Sequence, residues 1–301
     1  SDWNRAAAVI AQLRAIGTEE SAAAANGLEA GLLLRQEKVD ETVDFLQGLI
    51  DGGDSDAAVV ATIVQTRVRA GDLKAAREFL TEQQAKAPDD PQLKLLSAGL
   101  SVLENDPAAA EAVYQDLITT LPQEEGPVRA LYALLVWQGR PDEAAAVLQA
   151  GLEQIPTSVT LRMIRAGELE KANDIDGAIA IYEAIYAENS SNMIVANNLA
   201  SLMGAHRTDP ESLEKAFAIA RRLRGLEVPA FQDTYGWIEY RRGNYTEALA
   251  SLEPAAKGLP DDPLVQYHLG KTYLALERPA EARTALERAL EIAGENPLPQ
   301  F

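Results

Sequence analysis

The stretch "YGWIEYRRGNYTEALASLEPA", residues 235–255, decides the fold, because "LGKTYLALERPAEARTALERA" at residues 269–289 repeats its pattern. Four positions recur 34 residues later with the same amino acid: Gly236 and Gly270, Ala248 and Ala282, Leu252 and Leu286, Ala255 and Ala289. Identity at a fixed spacing in adjacent segments indicates an internal repeat. We therefore predict that one module is copied along the chain.

The same register extends backwards over most of the chain. The position of Gly236 is matched at six earlier points, spaced by 34 residues except for one interval of 36: Ala30, Val64, Ala98, Tyr132, Ala166 and Ala200. A second small position follows, twelve residues later in every repeat but the sixth: Thr42, Ala76, Ala110, Ala144, Ala178, Ala216, Ala248 and Ala282. The register predicts eight repeats.

Each repeat has the pattern of two antiparallel helices. Apolar and small residues recur at spacings of three and four, which is typical of a helix with one buried stripe. Breaks such as "AGD" at 70–72 and "RGN" at 242–244 supply a glycine for a sharp turn, and proline ends many of the second helices. Short side chains at Ala248 and Ala282 allow paired helices to approach closely. The predicted fold class is all-α: a right-handed α-solenoid of about eight and a half helix-turn-helix repeats.

Two regions are predicted: a lone helix within residues 1–20, and tandem repeats forming one continuous solenoid over residues 21–301. The opening helix, from Trp3 to Ile16, aligns with the second helix of a repeat whose first helix is absent. Either the chain is cut from a longer protein or this helix is a dedicated cap. In the sixth repeat, "GAHRTDPE" at 204–211 is predicted to be an exposed loop, with a helix beginning near Pro210.

Composition restricts the classes of partner. The formal net charge of -19 and the pI of about 4.5 oppose nucleic-acid binding, because that affinity depends on Lys and Arg neutralising phosphates. No apolar run approaches the length of a membrane span. The chain contains no cysteine, which excludes disulfides and thiolate metal sites. We therefore expect neither nucleic-acid binding nor membrane insertion by this segment.

The repeats resemble tetratricopeptide repeats, which are helix-turn-helix modules with small residues at positions 8, 20 and 27 and proline near position 32. The resemblance implies an α-solenoid that binds proteins or peptides along a concave groove. From "NNLASLM" at 197–203 onwards, the chain also resembles large bacterial repeat scaffolds associated with exopolysaccharide and cell-envelope export. This second resemblance favours a periplasmic or envelope-associated location over the cytoplasm.

The sequence offers no constellation of catalytic residues. His206 and His268 lie in different repeats without paired ligand spacing, so each is interpreted as a surface or packing residue. The aspartates of "PDDP" at 260–263 fall between two repeats, where Asp serves as a helix cap. We therefore expect no enzyme activity, no cofactor and no metal site.

In tetratricopeptide proteins, positions 2, 5, 9, 12 and 13 of the first helix line the groove, and the resemblance places the equivalent positions here in the same role. They are mostly apolar in the second to fourth repeats: Ala58, Ala61, Gln65, Val68, Arg69, Gln92, Leu95, Gly99, Val102, Leu103, Arg129, Ala133, Val136 and Trp137. Nearer the C-terminus they are aromatic and polar, and the partner site is predicted there: Asn197, Asp233, Trp237, Tyr240, Arg241, Tyr267 and Lys271. The alternative is that Trp237 and Tyr240 pack as core between repeats.

Three functional hypotheses follow. The first is a non-catalytic scaffold that binds a protein segment in its groove, as part of a bacterial envelope assembly. The second is a regulatory or substrate-presenting region of a larger enzyme, such as a glycosyltransferase, which a catalytic domain elsewhere in the full-length protein would favour. The third is self-association through apolar ends of the solenoid, which would make the size of the particle depend on concentration.

Overall fold

The computed structural model describes residues 2–53 and 57–294, which form seventeen α-helices and contain no strand. The chain divides into two compact units, an N-terminal unit Ser1–Pro156 and a C-terminal unit Thr157–Phe301. The N-terminal unit contains α1 Asp2–Ile16, α2 Glu19–Arg35, α3 Val39–Asp51, α4 Ala57–Arg69, α5 Leu73–Lys86, α6 Pro91–Leu103, α7 Pro107–Thr120, α8 Glu125–Trp137 and α9 Pro141–Gln154. The C-terminal unit contains α10 Val159–Lys171, α11 Ile175–Glu188, α12 Met193–His206, α13 Pro210–Ala220, α14 Pro229–Arg241, α15 Tyr245–Gly258, α16 Pro263–Ala275 and α17 Pro279–Ala293.

The predicted all-α repeat fold is confirmed. The even-numbered helices from α2 to α16 are the first helices of the eight repeats, and the odd-numbered helices from α3 to α17 are the second helices. Each first helix packs against the second helix that follows it. The opening helix α1 packs against α2. That residues 21–301 form one continuous solenoid stays a prediction.

The turn between paired helices has the same backbone conformation in seven repeats. Its φ angle lies between 57° and 82° at equivalent positions, whether or not the residue is glycine: Glu37, Gly71, Asn105, Gly139, Asn173, Gly243 and Glu277. This left-handed conformation is unfavourable for residues with a Cβ atom. Four non-glycine residues nevertheless adopt it, so helix pairing, rather than glycine content, determines the turn.

Short side chains lie where the paired helices meet. The second small position of every repeat has an exposed fraction of 0%: Thr42, Ala76, Ala110, Ala144, Ala178, Ala216, Ala248 and Ala282. A Cβ atom added to Gly270 would lie 2.6 Å from the Leu286 Cγ atom and 3.3 Å from the Ala282 carbonyl oxygen. The register therefore identifies the positions at which only small residues fit between α16 and α17.

The sixth repeat differs from the prediction in one detail. Helix α12 continues to His206, so Gly204, Ala205 and His206 are helical and the connection is confined to residues 207–209. Gly204 is buried, with an added Cβ meeting the Ile238 side chain at 3.0 Å. The predicted start of the next helix at Pro210 is confirmed, and the Asp209 side chain caps it by accepting from the Ser212 amide.

Candidate functional site

The first helices lie beside one another and form one face of each unit. In the N-terminal unit α4 contacts α6 and α6 contacts α8, and in the C-terminal unit α12 contacts α14 and α14 contacts α16. We call the residues at positions 2, 5, 9, 12 and 13 of these helices the first-helix face. All seven residues of the predicted partner site belong to this face in the C-terminal unit.

Four of the predicted site residues come together around Trp237. Its indole stacks on the Tyr240 ring, with centroids 4.7 Å apart and planes within 8°. The Tyr267 ring of α16 lies 6.2 Å away at a tilt of 51°, and the Lys271 ammonium lies 6.0 Å from the centroid of that ring. All four side chains are partly exposed. The structure therefore contains an aromatic cluster shared by two repeats.

The other face of the indole is covered by His268, a residue that sequence reasoning did not place in the site. The imidazole stacks on Trp237 with centroids 4.0 Å apart and planes within 14°. Its Nδ1 atom lies 2.9 Å from the Asp233 Oδ1 atom, and both side chains are buried, with exposed fractions of 5% for His268 and 9% for Asp233. The Asp233 carboxylate is thus already bound within the protein. Position 6 of the repeat, where His268 lies, borders the first-helix face and could have signalled this contact.

Arg241 of α14 binds the end of α12, whereas Asn197 binds a neighbour on its own helix. The Arg241 guanidinium donates to the carbonyl oxygens of Gly204, at 2.5 Å, and Arg207, at 3.0 Å, at the end of α12. It therefore satisfies carbonyls that the helix itself leaves unpaired. Asn197 donates from its Nδ2 atom to Asn198 at 3.3 Å, while its Oδ1 atom and the Trp237 Nε1 atom are buried without a hydrogen-bond partner.

A buried polar pair lies on α14, the helix that carries Trp237. The Tyr235 hydroxyl donates to the Glu239 carboxylate at 3.0 Å. Burial raises the pKa of the Tyr235 hydroxyl, and the adjacent Glu239 carboxylate raises that pKa further. Glu239 also accepts from Arg242 at 3.1 Å and from Asn244 at 2.6 Å, so its buried charge is compensated. These contacts fix α14 against α15 and offer no free titratable group.

A large concavity lies in the N-terminal unit. A cavity of about 940 Å³ opens between the beginnings of α4, α6 and α8. Its wall is mainly apolar and contains Ala57, Ala61, Pro91, Leu95, Leu96 and Pro127. The charged residues in the wall are Asp90, Glu124 and Arg129. A cavity of this volume is large enough to receive several side chains of a partner.

Three large apolar side chains are exposed at the other end of the same helices. Trp137 has an exposed fraction of 65%, Leu103 of 54% and Val136 of 44%. They occupy positions 12 and 13 of adjacent first helices. The sequence predicts these residues on the first-helix face, whereas it predicts the partner site among the polar and aromatic residues nearer the C-terminus. Apolar residues recur at positions 12 and 13 of these repeats, and that recurrence could have indicated an exposed apolar surface.

The described residues contain no cluster of side chains arranged for a metal ion. No group of three or more His, Cys, Asp or Glu side chains is arranged to hold a metal ion among residues 2–53 and 57–294. His206 is exposed and His268 is buried, which agrees with their interpretation as surface and packing residues. Within the described ranges, no helix combines the length and apolarity needed to cross a bilayer.

Two family models, both described as tetratricopeptide repeat, match residues 134–193 and 240–300. A TPR repeat-containing protein of Pseudomonas aeruginosa is 28% identical over 130 residues, which are 43% of this chain and 22% of that protein. Cellulose synthase 2 operon protein C of Komagataeibacter xylinus is 29% identical over 208 residues, 68% of this chain and 16% of that protein. Cellulose synthase operon protein C of Pseudomonas fluorescens is 23% identical over 203 residues, 66% of this chain and 13% of that protein. The chain therefore spans less than a quarter of each of these relatives.

A solved structure shows the same fold. In the crystal structure of the APC/C hetero-tetramer Cut9-Hcn1, one chain aligns with a TM-score of 0.57 and 14% sequence identity. The alignment covers 94% of this chain and 55% of that one. At this identity the likeness concerns the fold alone.

Proposed function

The chain is a tetratricopeptide-repeat protein, and we propose that it is a non-catalytic scaffold that binds a segment of another protein along its first-helix face. Repeats of this kind are interaction modules, because stacked helix pairs present long continuous surfaces. One observation carries the proposal: Trp137 is 65% exposed, with the exposed Leu103 and Val136, on the face that also contains the cavity of about 940 Å³. Exposed aromatic and apolar side chains of this kind are characteristic anchors of protein interfaces.

The C-terminal unit offers a second contact surface in this proposal. Tyr240, Tyr267 and Lys271 are partly exposed and would meet the partner. Three of the other predicted residues act mainly by holding α12, α14 and α16 in position: Asp233, Trp237 and Arg241. Asn197 bonds to its neighbour Asn198 on the same helix. Aromatic surface beside a cation suits a segment with both apolar and polar side chains.

We further propose that the scaffold serves a bacterial envelope assembly. Two of the relatives are named for cellulose synthase operons, and a shorter match, 45% identical over 51 residues, is a cytochrome c-type biogenesis protein of Pseudomonas aeruginosa. These names agree with the resemblance to export scaffolds found from the sequence. The partner is therefore expected among proteins of such an assembly, and fractionation of the source cells would test the location.

The proposal predicts that Trp137→Ala removes partner binding and leaves the fold intact. Proteins retained by the immobilised chain from an extract of the source organism would be identified, and the affinity of each would be measured with purified protein. An exposed interface tryptophan should contribute at least about 2 kcal/mol, so the affinity should fall by about thirtyfold or more. The free energy of unfolding should change by less than about 0.5 kcal/mol, because surface substitutions have small effects.

Leu290→Ala is the matched control for this experiment. Leu290 is 57% exposed on α17, a second helix outside the first-helix face. Its replacement should leave the affinity unchanged. Equal losses in the two variants, or full binding by Trp137→Ala, would contradict the assignment of the site.

A further inference from the structure

The charges of the N-terminal unit separate between first and second helices. The first helices α4, α6 and α8 carry four cations and one carboxylate: Arg67, Arg69, Lys94 and Arg129, with Glu125. The second helices α5, α7 and α9 carry three cations and seven carboxylates: Lys74, Arg77 and Lys86, with Glu78, Glu82, Glu111, Asp116, Asp142, Glu143 and Glu153. The net charge of the whole chain, -19, therefore does not describe the first helices of this unit, which carry more cations than carboxylates.

The two cations that lie on the first-helix face itself, Arg69 and Arg129, have no ionic partner among the described residues. Arg69 and Arg129 are exposed, and within residues 2–53 and 57–294 neither makes a salt bridge or a hydrogen bond. Arginines of the second-helix side behave differently: Arg77 binds Glu104 at 2.6 Å, and Arg140, in the turn before α9, binds Glu111 at 2.6 Å. An unpaired guanidinium beside apolar surface is a ready partner for a carboxylate.

The carboxylates near the cavity lie outside positions 2, 5, 9, 12 and 13 of the first helices. Asp90 caps α6 and accepts from the amides of Gln92, at 2.8 Å, and Leu93, at 3.3 Å. Glu124 lies at the start of α8, with Arg129 in the same wall. At positions 2, 5, 9, 12 and 13 of α4, α6 and α8 there is no Asp or Glu.

The apolar and cationic parts of the face form one row. Arg69, Leu103 and Trp137 are the last residues of α4, α6 and α8, and they are 34 positions apart. Neighbouring packed helices are roughly 8 to 10 Å apart, so the row from Arg69 to Trp137 is roughly 16 to 20 Å long. An extended segment of about six residues spans that length.

We propose that the N-terminal unit binds an acidic segment of another protein that also carries large apolar side chains. The apolar side chains of the segment contact Leu103, Val136 and Trp137, and one of its carboxylates binds Arg69. This inference rests on the proposed function and adds the chemistry of the partner. A basic segment would leave Arg69 and Arg129 facing like charge. A second copy of this chain is the competing occupant, and the test distinguishes it.

Two dye-labelled synthetic peptides with the same leucine and phenylalanine pattern test the inference, one with glutamate and the other with lysine at the polar positions. Fluorescence anisotropy should show the glutamate peptide binding at least about tenfold more tightly, with the difference shrinking at high salt. Trp137→Ala should weaken binding of the glutamate peptide by about tenfold or more. Arg69→Glu should weaken binding of the glutamate peptide by about three- to tenfold.

Lys257→Glu is the matched charge control, because it changes the net charge equally at an exposed position on α15. It should leave the affinity for the glutamate peptide unchanged, and Arg129→Glu provides a second variant on the face. Equal effects of Arg69→Glu and Lys257→Glu, tighter binding of the lysine peptide, or no binding of either peptide would overturn the inference. Sedimentation that shows a dimer dissociated by Trp137→Ala would overturn it in favour of self-association.

The two proposals can fail separately. If Trp137→Ala abolishes the binding of both peptides and the peptides bind equally, the binding face stands and the acidic partner is wrong. If a captured native protein binds independently of Trp137 and of Leu103, the binding face itself is wrong.

Discussion

An Ala248→Trp chain is expected to lose about 3 kcal/mol or more of its free energy of unfolding. Ala248 is completely buried between α14 and α15, and its carbonyl oxygen would lie only 3.1 Å from a Cβ atom on Gly236. An indole has no space there, so the pair must separate, at a cost at the upper end of that seen for overpacked cores. Urea unfolding followed by far-ultraviolet circular dichroism measures the loss.

Two further replacements make this test specific. Ala282→Trp should act in the same way between α16 and α17, because Ala282 is equally buried. Gly167→Ala is the control, since a Cβ atom at Gly167 of α10 meets nothing within 4 Å and alanine favours a helix. Near-neutral results at both Ala248 and Ala282 would mean that the 34-residue register is wrong.

Trp237→Ala is expected to destabilise the C-terminal unit by about 3 kcal/mol, through the cavity that loss of the indole creates. The indole lies between the rings of Tyr240 and His268, with centroids at 4.7 Å and 4.0 Å. Its removal also exposes the buried Asp233 and His268 pair to water. Thermal and urea unfolding of the purified variant measure the effect.

Trp137→Ala is the comparison that gives this result its meaning. The same substitution at a side chain that is 65% exposed should leave stability nearly unchanged while it removes partner binding. If Trp237→Ala leaves stability unchanged and Trp137→Ala unfolds the protein, the assignment of one tryptophan to packing and the other to binding is reversed. If both variants melt normally and only Trp237→Ala fails to bind, the partner lies on the aromatic residues of the C-terminal unit.

The register could be predicted because it follows from steric exclusion. The second small position of every repeat is completely buried, from Thr42 to Ala282, since larger side chains would separate the helix pairs. The turn conformation was less predictable. Glu37 and Glu277 adopt the left-handed backbone region that the sequence suggested only for glycines, because packing on both sides imposes it.

The site was harder to predict, because exposure at a given position depends on residues one repeat away. Trp237 was predicted to line the groove, and it lies on α14 at position 9 of the first-helix face. The sequence did not reveal that His268, from the following repeat, would stack on the indole. It also did not reveal that Gly204, from the preceding repeat, would lie near the indole. Trp137, by contrast, is exposed. Both tryptophans obey the same periodicity, so periodicity alone cannot separate an anchor from a packing residue.

Site-specific photocrosslinking tests the central claim, that a partner segment lies along the first-helix face. A benzophenone amino acid would replace Trp137 on α8 and, in a second protein, Gln149, which is exposed on the second helix α9 of the same repeat. Irradiation with the captured partner should give a crosslinked product from position 137 and none from position 149. A product from position 149 alone, or equal products from both positions, would contradict the claim.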